Sequence, residues 1–317
     1  MKHTTAWISK LCLLLLFGLL LTHPKQSAFY AAAGLTTWYT SIVPVLLPSM
    51  IVSGLLIRTR ACNLLHPLLA PIFRKLFRLP DAAADAFLVG ILCGYPSGAA
   101  VTGELLRQNK LTNTQAAHLL QFCNYPSPMF LTGLILSTAL KGQVSAPIFL
   151  LSVYLSGICT GILTTYIRKC HPENDHPKTE GASPTLCGNT DTFFQKLEAS
   201  LMTAARTILI VGLYLMLFRI FSGMAMELLP LPPFLLALLT GLLEMTSGIM
   251  LLAKQPLSLY AQSILILFLS VFGGISTWLQ AVSVMDLPQF PTGHYLTGRL
   301  LHSTLAVLLF LLLSRLS

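Results

Sequence analysis

Gly90-Ile-Leu-Cys-Gly-Tyr-Pro-Ser-Gly98 interrupts an apolar run with residues that break regular backbone, and Phe122-Cys-Asn-Tyr-Pro-Ser-Pro128 interrupts the next one. The same plan recurs later in the chain. Gly241-Leu-Leu-Glu-Met-Thr-Ser-Gly248 is followed at matching spacing by Phe272-Gly-Gly-Ile-Ser-Thr-Trp278. The offset is 150 residues for Ser97 and Ser247, for Gly98 and Gly248, and for Phe122 and Phe272. Paired apolar segments broken by Gly, Pro and Ser at corresponding places in two halves are the strongest sequence pointer to a transporter-type binding site. Irregular backbone at membrane depth survives only where it is buried in protein or lines a cavity.

Composition fixes the environment. The 317 residues are 54% hydrophobic and 10% charged, with a mean hydropathy of +0.73. A soluble domain carries about 25% charged residues, so this chain is read as an all-α polytopic membrane protein whose first partner is the lipid bilayer. The net charge of +9 then reports cytoplasmic loops and headgroup contact, with no nucleic-acid partner implied. Seven cysteines are scattered. None has metal-ligand spacing, so they read as free small core residues.

Basic residues orient the chain. Lys2 and Lys10 precede the apolar run Leu11–Leu21 in the manner of a signal peptide. Ala31–Ala33 lies far beyond the end of that run, which favours an uncleaved first helix over about Thr5–Leu21. Residues 1–40 are thus expected to hold that helix and an interfacial segment, Gln26–Thr40. A first repeat spans 41–167. It opens with a span at Ser41–Ile57 that Pro44 and Pro48 bend, and contains a re-entrant helix hairpin at 81–108. Arg58, Arg60, Arg74, Lys75 and Arg78 mark a cytoplasmic loop between the two. Thr112 and Gln115 signal a helix start. That helix reaches Leu140 with a break at Asn124–Pro128, and Ala146–Ile167 follows. Residues 168–192 form a polar cytoplasmic linker. The second repeat, 193–317, contains spans at Phe194–Phe221, Leu257–Met285 and Gly298–Leu313, and a hairpin at 231–256. Seven crossings result, with the two repeats inverted relative to one another.

The hairpin tips carry the candidate chemistry. Gly94, Tyr95, Pro96, Ser97 and Gly98 form the first. There a return half-helix presents unpaired N–H groups and partial positive charge to an anionic or strongly polar group. A packing turn between helices is the alternative. Glu244, Thr246, Ser247 and Gly248 form the second tip. Asn124, Tyr125 and Ser127, with Ser276, Thr277 and Gln280, interrupt the long helices and would complete a polar pocket, or else serve as interhelical hydrogen bonds. Glu244 and Arg206 are the ionisable candidates within spans, where a charge is costly and marks function. Arg206 either pairs with Glu244 or an anion, or snorkels to the interface. Asp85 and Glu104 read as interfacial. There is no nucleotide-binding loop, metal-binding pair or nucleophile elbow, so no cofactor and no enzymatic activity are expected.

Gly94-Tyr95-Pro96-Ser97-Gly98, Leu111-Thr112, Phe122-Cys123-Asn124 with Ser127-Pro128, and Glu244-Met245-Thr246-Ser247-Gly248 together resemble the sporulation integral membrane protein YlbJ family, also called stage V sporulation protein SpoVV, of endospore-forming bacteria. The resemblance runs from about Ser41 to the C-terminus. It implies a Gate-type "nucleoside recognition" domain similar to concentrative nucleoside transporters, with two inverted repeats and re-entrant hairpins. It also implies movement of dipicolinic acid out of the mother cell, across the membrane around the forespore. A small organic anion, a coupling proton or sodium ion, and a second copy of the chain are the remaining expected partners. A nucleoside or other organic-solute carrier, and a non-transporting component of a sporulation complex, are the alternatives.

Overall fold

The computed structural model describes residues 10, 14, 17–59, 66–167, 192–228, 230–285 and 290–316. The expected linker therefore lies outside the described residues, as do most of the expected first helix and Arg60. All regular structure among the described residues is helical. Five stretches are long and apolar enough to cross a membrane: Pro24–Leu56, Ala146–Ile167, Phe193–Leu228, Leu259–Met285 and Thr292–Leu313.

The first of these stretches differs from expectation. α1 (Pro24–Thr37) and α2 (Val43–Arg58) are joined by a π-type turn over Trp38–Ile42, giving one continuous helical run. The turn sits immediately before Pro44, whose missing N–H and bulky ring disfavour the ordinary i to i−4 bond. The segment 26–40 is thus part of the same run and not a separate element. α3 (His66–Ile72) follows, with a π-type turn over Phe73–Phe77.

The first hairpin is α4 (Ala83–Cys93) and α5 (Ser97–Arg107). α6 (Asn113–Leu119) begins with a capping box in which the Thr112 hydroxyl accepts from the Gln115 amide while Gln115 reaches back to the Thr112 amide. Such a cap contributes about 1 kcal/mol. The helix expected to run on to Leu140 is two short pieces. After α6 the chain is irregular and wholly buried from Gln121 to Ser127, and α7 (Phe130–Ala139) is wound in the wider π manner. Neither piece is among the long candidate spans.

α8 (Ala146–Ile167), α9 (Phe193–Leu228), the second hairpin α10 (Pro233–Leu243) and α11 (Met245–Leu252), the broken pair α12 (Leu259–Phe272) and α13 (Gly274–Met285), and α14 (Thr292–Leu313) complete the fold. α9, at 36 residues, is about 54 Å long, well beyond a hydrocarbon core of about 30 Å. It therefore tilts or projects.

α9 packs antiparallel to α1 and α2 over its whole length. Arg58 donates to the Thr203 hydroxyl near one end, the Trp38 indole donates to the Ile208 carbonyl, and the Tyr30 hydroxyl donates to Glu227 near the other end. α8 and α14 are also antiparallel, with Phe149 against Phe310 and His302 bonded to the Val153 carbonyl. Each of these pairs joins one element from each half of the chain.

Close backbone approach explains the glycines shared by the two halves. A Cβ on Gly90 would lie 1.7 Å from the Cys123 carbonyl oxygen, and one on Gly98 would lie 2.1 Å from the same atom. In the second hairpin a Cβ on Gly248 would lie 2.1 Å from the Gly241 Cα. Gly94 takes a left-handed φ of 76° at the first tip, which L side chains rarely adopt. Gly98 serves by its lack of bulk and not by a positive φ. On α8, Gly157 makes room for the Tyr125 ring and Gly161 for Phe77 and Phe122. Phe77 and Phe122 stack at 4.7 Å inside a buried aromatic cluster that also contains Phe73 and Phe87.

Candidate functional site

The two hairpin tips meet at one cavity. It is lined by Tyr95 from the first tip and by Glu244, Met245 and Thr246 from the second. Pro126 and Ser127 come from the first helix break, and Thr277 and Gln280 from the second. Ile42, Leu46, Val211 and Leu215 close it on the side of α2 and α9. Its volume is about 30 Å³, room for a water or two in this conformation.

Glu244 is the N-cap of α11. Its carboxylate accepts from the Thr246 amide at 2.8 Å and the Ser247 amide at 2.7 Å, and the residue is 4% exposed. The N-terminus of the second tip's return helix is thus capped by the chain's own carboxyl group. Ser247 and Gly248 are buried behind this cap. Across the cavity, the Ser127 hydroxyl accepts from the Phe130 amide at 3.2 Å and so caps α7. Thr277 donates to the Gly274 carbonyl at 3.0 Å, and the Gln280 amide donates to the Ser276 hydroxyl at 3.1 Å. Gly273 and Gly274, both with positive φ, form the break these residues flank.

Other expected residues lie elsewhere. Pro96 and Ser97 line a second, larger cavity of about 120 Å³, with Arg58 and with Ser200, Thr203 and Thr207 of α9. Arg206 is exposed on α9 and lines neither cavity. Its position fits a snorkelling side chain and removes it as a partner of Glu244. Asn124 is buried beside the cavity, its side-chain amide donating to the Tyr295 hydroxyl at 3.1 Å. Tyr125 is fully buried, packed against Tyr154 and His302, and its hydroxyl has no hydrogen-bond partner among the described residues. Asp85 and Glu104 are partly exposed near the hairpin mouth, and Glu104 pairs with Arg107 at 2.8 Å. No cluster of metal-ligating side chains occurs among the described residues.

One residue escaped the sequence reading. Arg299 on α14 is fully buried. It donates to the Tyr95 hydroxyl at 2.7 Å, to the Asn124 carbonyl and, at 3.3 Å, to the Val271 carbonyl. Its other terminal nitrogen is 3.1 Å from Nδ1 of His302. Among the described residues it forms no ion pair with a carboxylate. The expected last span began at Gly298, which put Arg299 at a helix end. α14 instead begins at Thr292, so Arg299 lies two turns inside. Tyr295, Arg299 and His302 at i, i+4 and i+7 share one helix face, and that spacing was the available signal.

The chain is similar to the sporulation integral membrane protein YlbJ of Bacillus subtilis (strain 168), at 27% identity over 334 aligned positions covering 95% of this chain and 80% of that protein. That similarity supports membership of the YlbJ family. No family model matches the chain, and no solved structure does. The residues that suggested the YlbJ family in the sequence sit at the first tip, the α6 start, the first break and the second tip.

Proposed function

We propose that this protein is a membrane transporter of a small organic anion, with dipicolinate as the leading substrate during spore formation, and that the cavity between the two hairpin tips is its binding site. The observation that carries this reading is the convergence of both tips and both helix breaks on one cavity. That is where a transporter built from internal repeats places its substrate. The similarity to a sporulation membrane protein supports the cellular setting.

Inverted repeats with re-entrant hairpins fit the contacts. Arg107, at the open end of the first hairpin, donates to the Met285 carbonyl at the end of α13. The open end of the second hairpin lies at the start of α12, where the Gln262 side chain donates to the Gln255 carbonyl. The two mouths thus lie at opposite ends of the Leu259–Met285 run. The antiparallel pairing of α2 with α9 and of α8 with α14 is what a two-fold axis in the membrane plane would produce.

A second reading draws on Glu244. A carboxylate lining the cavity disfavours a dianion unless it is neutralised or paired, and it favours a solute with hydroxyl or amino donors, such as a nucleoside. Uptake of labelled dipicolinate and, in parallel, of labelled nucleoside into proteoliposomes, each with the two unlabelled compounds as competitors, separates the two. Saturable uptake blocked by dipicolinate and not by nucleoside supports the anion. Saturable nucleoside uptake that dipicolinate does not block supports the nucleoside carrier. A protein that moves neither is the non-transporting component.

A further inference from the structure

Arg299 is a cation held at full burial with no carboxylate partner among the described residues, and its contacts converge behind the cavity just described. The Tyr95 hydroxyl accepts from Arg299 at 2.7 Å and donates to the Val271 carbonyl at 2.7 Å. The same Arg299 nitrogen is 3.3 Å from that carbonyl. Tyr95 lines the cavity, and the guanidinium carbon is 5.5 Å from its ring centroid. Val271 lies in the last turn of α12, where carbonyls have no helical partner and attract a cation. Asn124, whose carbonyl Arg299 also holds, belongs to the other break. His302 fixes the guanidinium from behind, accepting at Nδ1 while Nε2 donates to the Val153 carbonyl at 2.9 Å.

Resting on the reading of the cavity as the substrate site, we propose that Arg299 is a positioning residue that makes Tyr95 a switchable donor: the phenol proton turns from the Val271 carbonyl to an anionic group in the cavity, while Arg299 keeps that carbonyl paired. The physical need is specific. A tyrosine that simply abandoned Val271 would leave a buried carbonyl unsatisfied, at a cost that cancels the new bond. Arg299 Nη1 is already within reach of the carbonyl and shares one of its two protons between it and the Tyr95 oxygen, so the exchange leaves no orphan acceptor. Its hydrogen bond also polarises the phenol toward donation to an anion. Because Arg299 grips both breaks and the first tip, the donor is available only when those three elements are assembled.

The test is dipicolinate flux in proteoliposomes carrying wild type, Tyr95→Phe, Arg299→Gln, Arg299→Lys and the Tyr95→Phe/Arg299→Gln double variant. Tyr95→Phe removes one hydroxyl and leaves Arg299 with its carbonyls. It is expected to raise KM by about tenfold to a hundredfold, the range for a hydrogen bond to a charged group. Vmax should stay within about twofold of wild type. Arg299→Gln is expected to raise KM similarly, and the double variant should be no worse than the worse single variant, because the two side chains act as one unit. Arg299→Lys keeps the charge but not the fork and should fall between. Should Arg299→Gln fail to fold, the KM of Tyr95→Phe decides. A wild-type KM in Tyr95→Phe, or effects that multiply in the double variant, would overturn the role. Wild-type protein that moves no dipicolinate would remove the transport reading itself, an outcome visible before any variant is measured.

Discussion

The carboxyl group of Glu244 lies 2.7 Å from the amide of Ser247, so the N-terminus of the second hairpin's return helix is occupied by a group the chain itself supplies. The first hairpin has no such cap: no side chain bonds the start of α5 at Ser97. The two tips are alike in glycine placement and unlike in how their return helices are capped.

Glu244→Gln should flatten the dependence of dipicolinate flux on pH or on sodium, since a permanently neutral side chain needs no proton or cation to offset it. Protein levels should stay near normal, because one carbonyl oxygen still accepts at the cap. Glu244→Ala should lower stability by about 1–2 kcal/mol through loss of the cap and abolish the same dependence. Flux profiles across pH, with and without sodium, check this. A wild-type profile in Glu244→Gln would make the carboxylate a cap and nothing more.

Gly90→Ala should be severely destabilising, by about 3 kcal/mol or more, because its Cβ would meet the Cys123 carbonyl, a backbone atom that cannot swing aside. Gly293→Ala is the control. Nothing lies within 4 Å of the added Cβ, and the change should be neutral or stabilising by up to about 1 kcal/mol. Thermal unfolding of the purified protein in detergent measures both. Equal melting temperatures would mean that the hairpin does not pack on the first break as described.

The hairpin mouths should face opposite sides of the membrane. Asn113 and Lys254 are exposed beyond the first and second hairpins respectively. Single cysteines at these positions, in a background without the native cysteines, should react with a membrane-impermeant maleimide from opposite faces. Labelling of both from the same face would contradict the inverted arrangement.

Much of this arrangement is legible in the sequence because glycine is hard to replace where backbones touch. The matched pairs Gly90 with Gly241 and Gly98 with Gly248 are the residues at the close approaches, which is why the tips and breaks could be placed from spacing alone. The capping box at Thr112 was readable for a similar local reason. What was not readable depended on tertiary direction. Ser97 and Ser247 align in the repeat, yet Ser97 lines the cavity shared with Arg58 while Ser247 is buried and its amide is taken by Glu244. Arg206 and Arg299 both lie in apolar helices. Only packing shows that one is exposed on α9 and the other is enclosed by Tyr95, Asn124 and His302. The merging of 26–40 into one run with α2 was hidden by the π-type turn ahead of Pro44, which lets a helix continue where a break is expected.

The most direct test asks whether substrate occupies the cavity between the tips. Thr277 lines that cavity and is buried, whereas Ile275, two positions earlier, is exposed. Single cysteines at the two positions are to be treated with a small thiol reagent in proteoliposomes, with and without dipicolinate. Dipicolinate is predicted to slow modification at 277 with a half-maximal concentration matching the KM for flux, and to leave 275 unchanged. Equal rates at 277 with and without dipicolinate, in vesicles that transport it, would place the substrate elsewhere and contradict the account.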